Sequence, residues 1–116
     1  MSADTAGGRR VYGASCARCH GVDGDGSVGP PLWGPRSYNI GAGMARLRTA
    51  ASFIKENMPF DAPGTLADRD VLDVAAFVDA RPRPDYADKV NDWPNGDAPP
   101  DAPYETRGAR THPKDR

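Results

Sequence analysis

Cys16 and Cys19 are the only two thiols of the chain; two residues separate them, and His20 follows the second directly. The stretch Cys16-Ala17-Arg18-Cys19-His20 has the spacing of a c-type haem attachment site. Chemistry sets that spacing. Each thiol forms a thioether with one vinyl group of a porphyrin, and the next residue brings an imidazole under the iron. Both cysteines are then used, and none remains for a disulfide, a zinc site or a cysteine nucleophile. Two plainer readings compete. A thioredoxin-like pair would open a helix after an apolar strand, and no strand-like run precedes Cys16. Half of a zinc site needs two further ligands, and the only other histidine, His112, lies in a Pro-rich tail. One covalent haem c is therefore the expected cofactor.

Haem iron held by histidine on one side commonly takes methionine or histidine on the other. Of the three methionines, Met1 is terminal and Met44 falls in a helical pattern. Met58 sits in Asn57-Met58-Pro59-Phe60, where proline stiffens the loop. His20 and Met58 are the expected metal ligands; Met44 is the challenger, better suited to filling core space. A ligating histidine usually donates its second ring N–H to an acceptor that fixes the ring. The proline pair in Gly29-Pro30-Pro31-Leu32 makes a stiff wall whose carbonyls stay available, so Pro30 is the expected acceptor. Leu32 and Trp33 are expected against or near the porphyrin, with core packing an equal reading for Trp33. Tyr38 and Arg36 are candidates for a haem propionate, since arginine suits carboxylates; both read equally well as solvent-facing.

These residues need elements to hold them. A short N-terminal helix is expected over residues 5 to 15, with Gly8 and Tyr12 on one face. Residues 21 to 35 read as a Gly, Asp and Pro loop. Its Gly21-Val22-Asp23-Gly24-Asp25-Gly26 run has a superficial likeness to a calcium loop but lacks the required acidic residue and helical flanks. Residues 36 to 42 read as irregular. A helical pattern from about 43 to 56 carries Met44, Leu47, Ala51 and Ile54, and Pro59 ends it. Thr65 and Asp68 have capping-box spacing ahead of a helix from about 66 or 68 to 80. There Val74 and Phe77 are the expected partners of the Gly8 and Tyr12 face.

Length and charge bound the rest. The 116 residues allow one domain, expected over 5 to 80, and seven of the twelve prolines lie in residues 81 to 116. That tail cannot build a second core. Tyr86, Trp93 and Tyr104 point to an extended segment, 81 to 106, wrapping the domain, with residues 107 to 116 frayed. A net charge of -1 gives no electrostatic case for nucleic acid. No apolar run is long enough for a membrane span, and Met1-Ser2-Ala3-Asp4 lacks signal-peptide character. A periplasmic location is expected from the cofactor alone, with the leader removed.

The order of Gly8 and Tyr12, Cys16-Ala17-Arg18-Cys19-His20, Gly29-Pro30-Pro31-Leu32, Met58-Pro59 and Val74-Ala75-Ala76-Phe77-Val78 resembles a class I cytochrome c over residues 7 to 80. The resemblance implies an all-α fold of short helices around one haem, with the terminal helices crossing and one haem edge exposed. A narrower likeness spans about residues 9 to 106. Pro31-Leu32-Trp33-Gly34-Pro35, Gly41-Ala42-Gly43-Met44-Ala45-Arg46-Leu47, Arg81-Pro82-Arg83-Pro84 and Asp92-Trp93-Pro94-Asn95-Gly96 are similar to the C-terminal haem domain of dihaem thiosulfate dehydrogenases. Those enzymes join two thiosulfates into tetrathionate at their other haem, whose iron carries a cysteine. This chain has one haem motif and no spare cysteine. Some relatives place a lysine before the ligating methionine; here Asn57 stands there, and Lys55 is too far back to inherit the role.

The expected function is one-electron carriage between redox proteins through transient contacts, by a monomer. Alternatives are an electron-transfer domain excised from a dihaem thiosulfate dehydrogenase and a haem enzyme with a displaceable distal ligand.

Overall fold

In the computed structural model, which describes residues 2 to 108, the chain forms four α-helices and no strand among the described residues. They are α1 (Thr5–Ser15), α2 (Ala17–His20), α3 (Leu47–Asn57) and α4 (Asp68–Asp79). Short 3-10 turns occur at Gly43–Ala45 and Ala87–Asn91.

The crossing of α1 and α4 is the centre of the fold. Asp4 caps α1, its carboxylate accepting from the Ala6 amide at 3.1 Å. Its own amide donates to Asp73 Oδ1 at 2.8 Å, and Arg69 Nη1 donates to the same oxygen at 2.9 Å. Asp73 is buried on α4, so this shared carboxylate pins the start of α1 to that helix. One turn further on, Gly8 lets the backbones meet. A Cβ there would fall 2.8 Å from Phe77 Cβ and closer still to the Asp73 carbonyl. Beyond it, Tyr12, Val74, Phe77 and Val78 form the buried cluster, with Cys16, Leu32, Trp33 and Ile54 packed against it. The expected pairing of Gly8 and Tyr12 with Val74 and Phe77 is thus the observed one.

Three rings lock that cluster. Tyr12 lies 4.9 Å from Trp33 and 5.7 Å from Phe77 between centroids, and Trp33 meets Phe77 edge-on at 5.7 Å. Gly24, at φ 64°, passes against the Trp33 face so closely that any Cβ would clash with the indole.

Two local expectations need correction. The helical pattern from 43 to 56 is two pieces, because Arg46 is extended (φ -93°, ψ 131°) between the 3-10 turn and α3. The three-residue step from Met44 to Leu47 suits a 3-10 turn as well as an α-helix, and Gly41 and Gly43 favour neither strongly. The capping box is not formed: Ala67 is the N-cap of α4 and makes no side-chain cap bond, while the Thr65 hydroxyl donates to Ala62 O at 2.7 Å. Asp68 and Asp70 in the first turn complement the helix dipole instead. The tail is held together by its own aromatic and polar contacts. Trp93 stacks on Tyr104 at 5.8 Å, Tyr104 donates to Asp92 at 2.6 Å, and Thr106 and Gly108 are buried. Residues 109 to 116, His112 among them, lie outside the described residues, as does Met1.

The near part of the tail is bound to the domain. Gly34 N donates to Pro82 O at 2.6 Å and Ile40 N to Pro84 O at 3.0 Å. Arg83 joins three segments: Nη1 donates to Leu32 O at 2.9 Å, Nη2 to Val78 O at 2.6 Å, and its guanidinium lies 4.3 Å from the Tyr38 ring centroid.

Candidate haem-binding site

The attachment motif coils into α2, which follows α1 after a bend at Cys16 (φ -121°, ψ -39°). His20 closes it and is buried. The chain then folds back over the motif. Gly21 (φ 89°) turns it, Gly26 N donates to His20 O at 2.9 Å, and Gly29 N donates to Cys19 O at 2.6 Å. Tyr12 ties this return to α1, donating its hydroxyl to Gly21 O at 2.5 Å. Burial, followed by the neighbouring Cys16, Asp25 and Asp23, pushes the Tyr12 phenol up to about 12, so it stays a donor.

The return brings Pro30 O to 2.8 Å from His20 Nδ1. A carbonyl only accepts, so the Nδ1–H tautomer donates here and Nε2 keeps its lone pair for a metal. Gly29 makes room for the ring: a Cβ there would stand 2.9 Å from His20 Cε1 and 3.0 Å from Nδ1.

Cys16 and Cys19 are unpaired and half-buried. Burial, with Cys19 adding to it, pushes the Cys16 thiol up to about 11. A dithiol redox site needs a lowered thiol, so the environment is wrong for thioredoxin-like chemistry. No cluster of three or more His, Cys, Asp or Glu side chains able to hold a metal ion forms among the described residues, so these groups do not make a closed zinc-type site. An oriented imidazole, two half-buried thiols on one helical turn and a side-chain-free cradle beside the ring fit a covalently held haem.

Met58 follows α3 directly as its C-cap, half-buried, with extended backbone (φ -118°, ψ 152°) and its amide on Ile54 O at 2.9 Å. The loop beyond it is fastened at both ends of its course. Lys55 Nζ donates to Leu66 O at 2.8 Å and pairs with Asp68 at 3.0 Å, while Asp61 meets Arg18 of the motif at 2.5 Å. Met44 lies in the 3-10 turn, also half-buried.

Leu32 and Trp33 both pack on the core cluster, Trp33 as a member of the aromatic triad. The two candidates for a propionate have protein partners. Arg36 donates to Asp25 O at 2.8 Å, and the Tyr38 hydroxyl donates to Asp79 Oδ1 at 3.1 Å. Burial, then the Asp79 charge, pushes Tyr38 up to about 12, and burial pushes Asp79 up to about 6. Sequence reasoning passed over Arg83 and the Arg18–Asp61 pair. The one signal for Arg83 was its position between two prolines, which holds the backbone extended and offers carbonyls on either side.

This arrangement of helices and site is the class I cytochrome c fold. The family model described as cytochrome c oxidase, cbb3-type, subunit III matches residues 3–78, and the chain belongs to that family. Membership implies binding of haem c and redox partners. A thiosulfate dehydrogenase of Psychrobacter arcticus is 44% identical over 108 residues, covering 87% of this chain and 33% of the relative. A thiosulfate dehydrogenase of Allochromatium vinosum is 48% identical over 92 residues, covering 73% and 34%. The solved structure of the thiosulfate dehydrogenase TsdBA from Marichromatium purpuratum matches with a TM-score of 0.66 at 46% identity, over 72% of this chain and 19% of that one. The chain therefore spans about a third of the length of the curated thiosulfate dehydrogenases it matches. No helix among the described residues is long and apolar enough to cross a membrane.

Proposed function

We propose that this chain is a one-electron transfer unit with a single haem c, bound through Cys16 and Cys19 and ligated by His20 and Met58. The observation that carries the reading is the 2.8 Å contact between His20 Nδ1 and Pro30 O, which fixes the tautomer and aims Nε2. When bound, the haem supplies an iron that takes up and returns one electron. The chain would hold His20 and Met58 in place as its ligands in both oxidation states, which would limit rearrangement and keep small molecules off the metal. Gly29 and Pro30 orient the imidazole, α3 delivers Met58, and the α1–α4 crossing fixes the two sides relative to one another. Redox proteins meet it through small transient interfaces, in the periplasm.

A second setting has its own support. Identity of 44% and 48% to thiosulfate dehydrogenases supports an electron-exit domain of a larger dihaem enzyme as the alternative. A second haem motif in the adjoining coding region would decide for it.

An optical spectrum of both oxidation states, joined to a redox titration, tests the ligation. The methionine-to-iron absorption band in the far red is expected in the parent, lost in Met58→Ala and kept in Met44→Ala. The opposite pattern transfers the ligand role to Met44. A five-coordinate resting iron defeats the carrier reading.

A further inference from the structure

Arg18 and Asp61 are 43 positions apart and meet at 2.5 Å between Nη2 and Oδ2. Arg18 lies between the two thiols of the attachment motif, and Asp61 stands three residues after Met58. We propose that this ion pair is a clasp joining the chain on the His20 side of the haem to the loop that carries the distal ligand, and that it governs how readily Met58 leaves the iron. The proposal rests on Met58 ligation as argued above.

The placement sets the consequence. Covalent attachment through Cys16 and Cys19 makes α2 a fixed post. The Met58 loop is held on its other flank by Lys55, which reaches Leu66 O and Asp68. Within the loop, the turn closes through Ala62 N on Pro59 O at 2.9 Å and Thr65 on Ala62 O at 2.7 Å. Among the described residues, Arg18–Asp61 is the one hydrogen bond or ion pair between this loop and the motif. An external ligand reaches the iron only when Met58 swings away, and a loop closed on itself swings as a unit. Asp61 then has to leave Arg18. Opening of the distal side and rupture of the pair become one event.

Both side chains are about 60% exposed, so the pair is of modest strength. An exposed pair of this kind slows opening by about two- to fivefold, and added salt screens it.

The test uses the ferric holoprotein and imidazole as the incoming ligand, with binding followed by loss of the far-red methionine band. Asp61→Asn and Arg18→Gln are each expected to bind imidazole about two- to fivefold faster than the parent at low ionic strength. High salt should bring the parent up to the variants while leaving them little changed. The exchanged double variant, Arg18→Asp with Asp61→Arg, should return the slow rate. Urea unfolding of each variant gives a separate measure of global stability, which the clasp does not require to change in step. If the band is present in the parent and the single variants bind at its rate, the clasp is wrong while Met58 ligation stands. If the parent lacks the band, Met58 ligation fails and the clasp falls with it.

Discussion

Gly8 and Gly13 share α1 but face different surroundings, and the pair offers a clean measure of how closely α1 and α4 cross. An alanine Cβ at position 8 would lie 2.5 Å from the Asp73 carbonyl carbon and 2.8 Å from Phe77 Cβ. The Asp73 carbonyl oxygen would be nearer still, far inside the about 3.3–3.6 Å of tolerated carbon–oxygen contacts between helices, so the helices would have to part by more than about an ångström. At Gly13 the same Cβ meets nothing within 4 Å. Both substitutions gain helix propensity of roughly 0.5–1 kcal/mol, so their difference isolates the crossing. The obstruction at Gly8 is backbone and cannot rotate aside. Separation would loosen Tyr12, Val74 and Phe77 together, and overpacking of this kind costs about 1–3 kcal/mol.

Gly13→Ala is therefore expected to stabilise by roughly 0.5–1 kcal/mol, and Gly8→Ala to lie about 1–3 kcal/mol below it, a net loss of up to about 2.5 kcal/mol. For a domain of this size the two should melt about 4–24 °C apart. Urea unfolding of both holoproteins, followed by helical circular dichroism with slopes compared, reads the difference directly. Equal shifts, or a more stable Gly8→Ala, would refute the close crossing.

Two further outcomes follow from the tail and its anchor. Arg83→Met removes two charge-assisted bonds, to Leu32 O and Val78 O, and is expected to cost about 2–4 kcal/mol. Amide exchange at Gly34 and Ile40, whose N–H groups are held by Pro82 and Pro84, should quicken; unchanged exchange there would show that Arg83 is not the fastener. Asp79 titrates at about 6 because burial outweighs the opposing Tyr38 hydrogen bond and Arg83 charge, with Asp101 adding to the rise. The folded chain thus keeps a proton that the unfolded chain, at its ordinary 3.8, has released, and stability falls as pH rises from about 4 to 6. Asp79→Asn should flatten that segment and be the more stable form at pH 7. Denaturation midpoints at pH 5 and pH 7 check it, and parallel profiles for parent and variant would contradict it.

What the sequence revealed was whatever depends on short spacing. Cys16, Cys19 and His20 fall within one short motif, and Gly8 and Tyr12 within about one turn of helix. Val74 and Phe77 announce a face through their period, and Pro59 stops α3 because it has no amide to give. The break at Arg46 was hidden because a three-residue step serves two kinds of helix. The unformed cap at Thr65 was hidden for another reason: its hydroxyl had a nearer acceptor in Ala62 O. Pairings across the chain were least legible. With sixteen Asp and Glu residues available to fifteen Lys and Arg, no composition argument selects Asp61 for Arg18.

Trp33 shows why one ambiguity could not be resolved from sequence. Its place beside the proline pair suits a haem neighbour and a core residue equally, because both depend on the same loop. Its ring is held between Tyr12 and Phe77 while Gly24 O receives the amides of Leu32 and Trp33 at 2.8 and 3.3 Å. Those bonds close the loop that carries Pro30, so the packing that seals the α1–α4 crossing also holds the acceptor for His20. A single aromatic side chain therefore couples domain stability to imidazole orientation. On the other side, Met58 leaves α3 with its amide on Ile54 O, and Ile54 packs on the same cluster, while the loop beyond is fastened by Lys55 and by the exposed Arg18–Asp61 pair. The same cluster thus supports both residues proposed as iron ligands, His20 through the closed loop that carries Pro30 and Met58 through its hydrogen bond to Ile54 O.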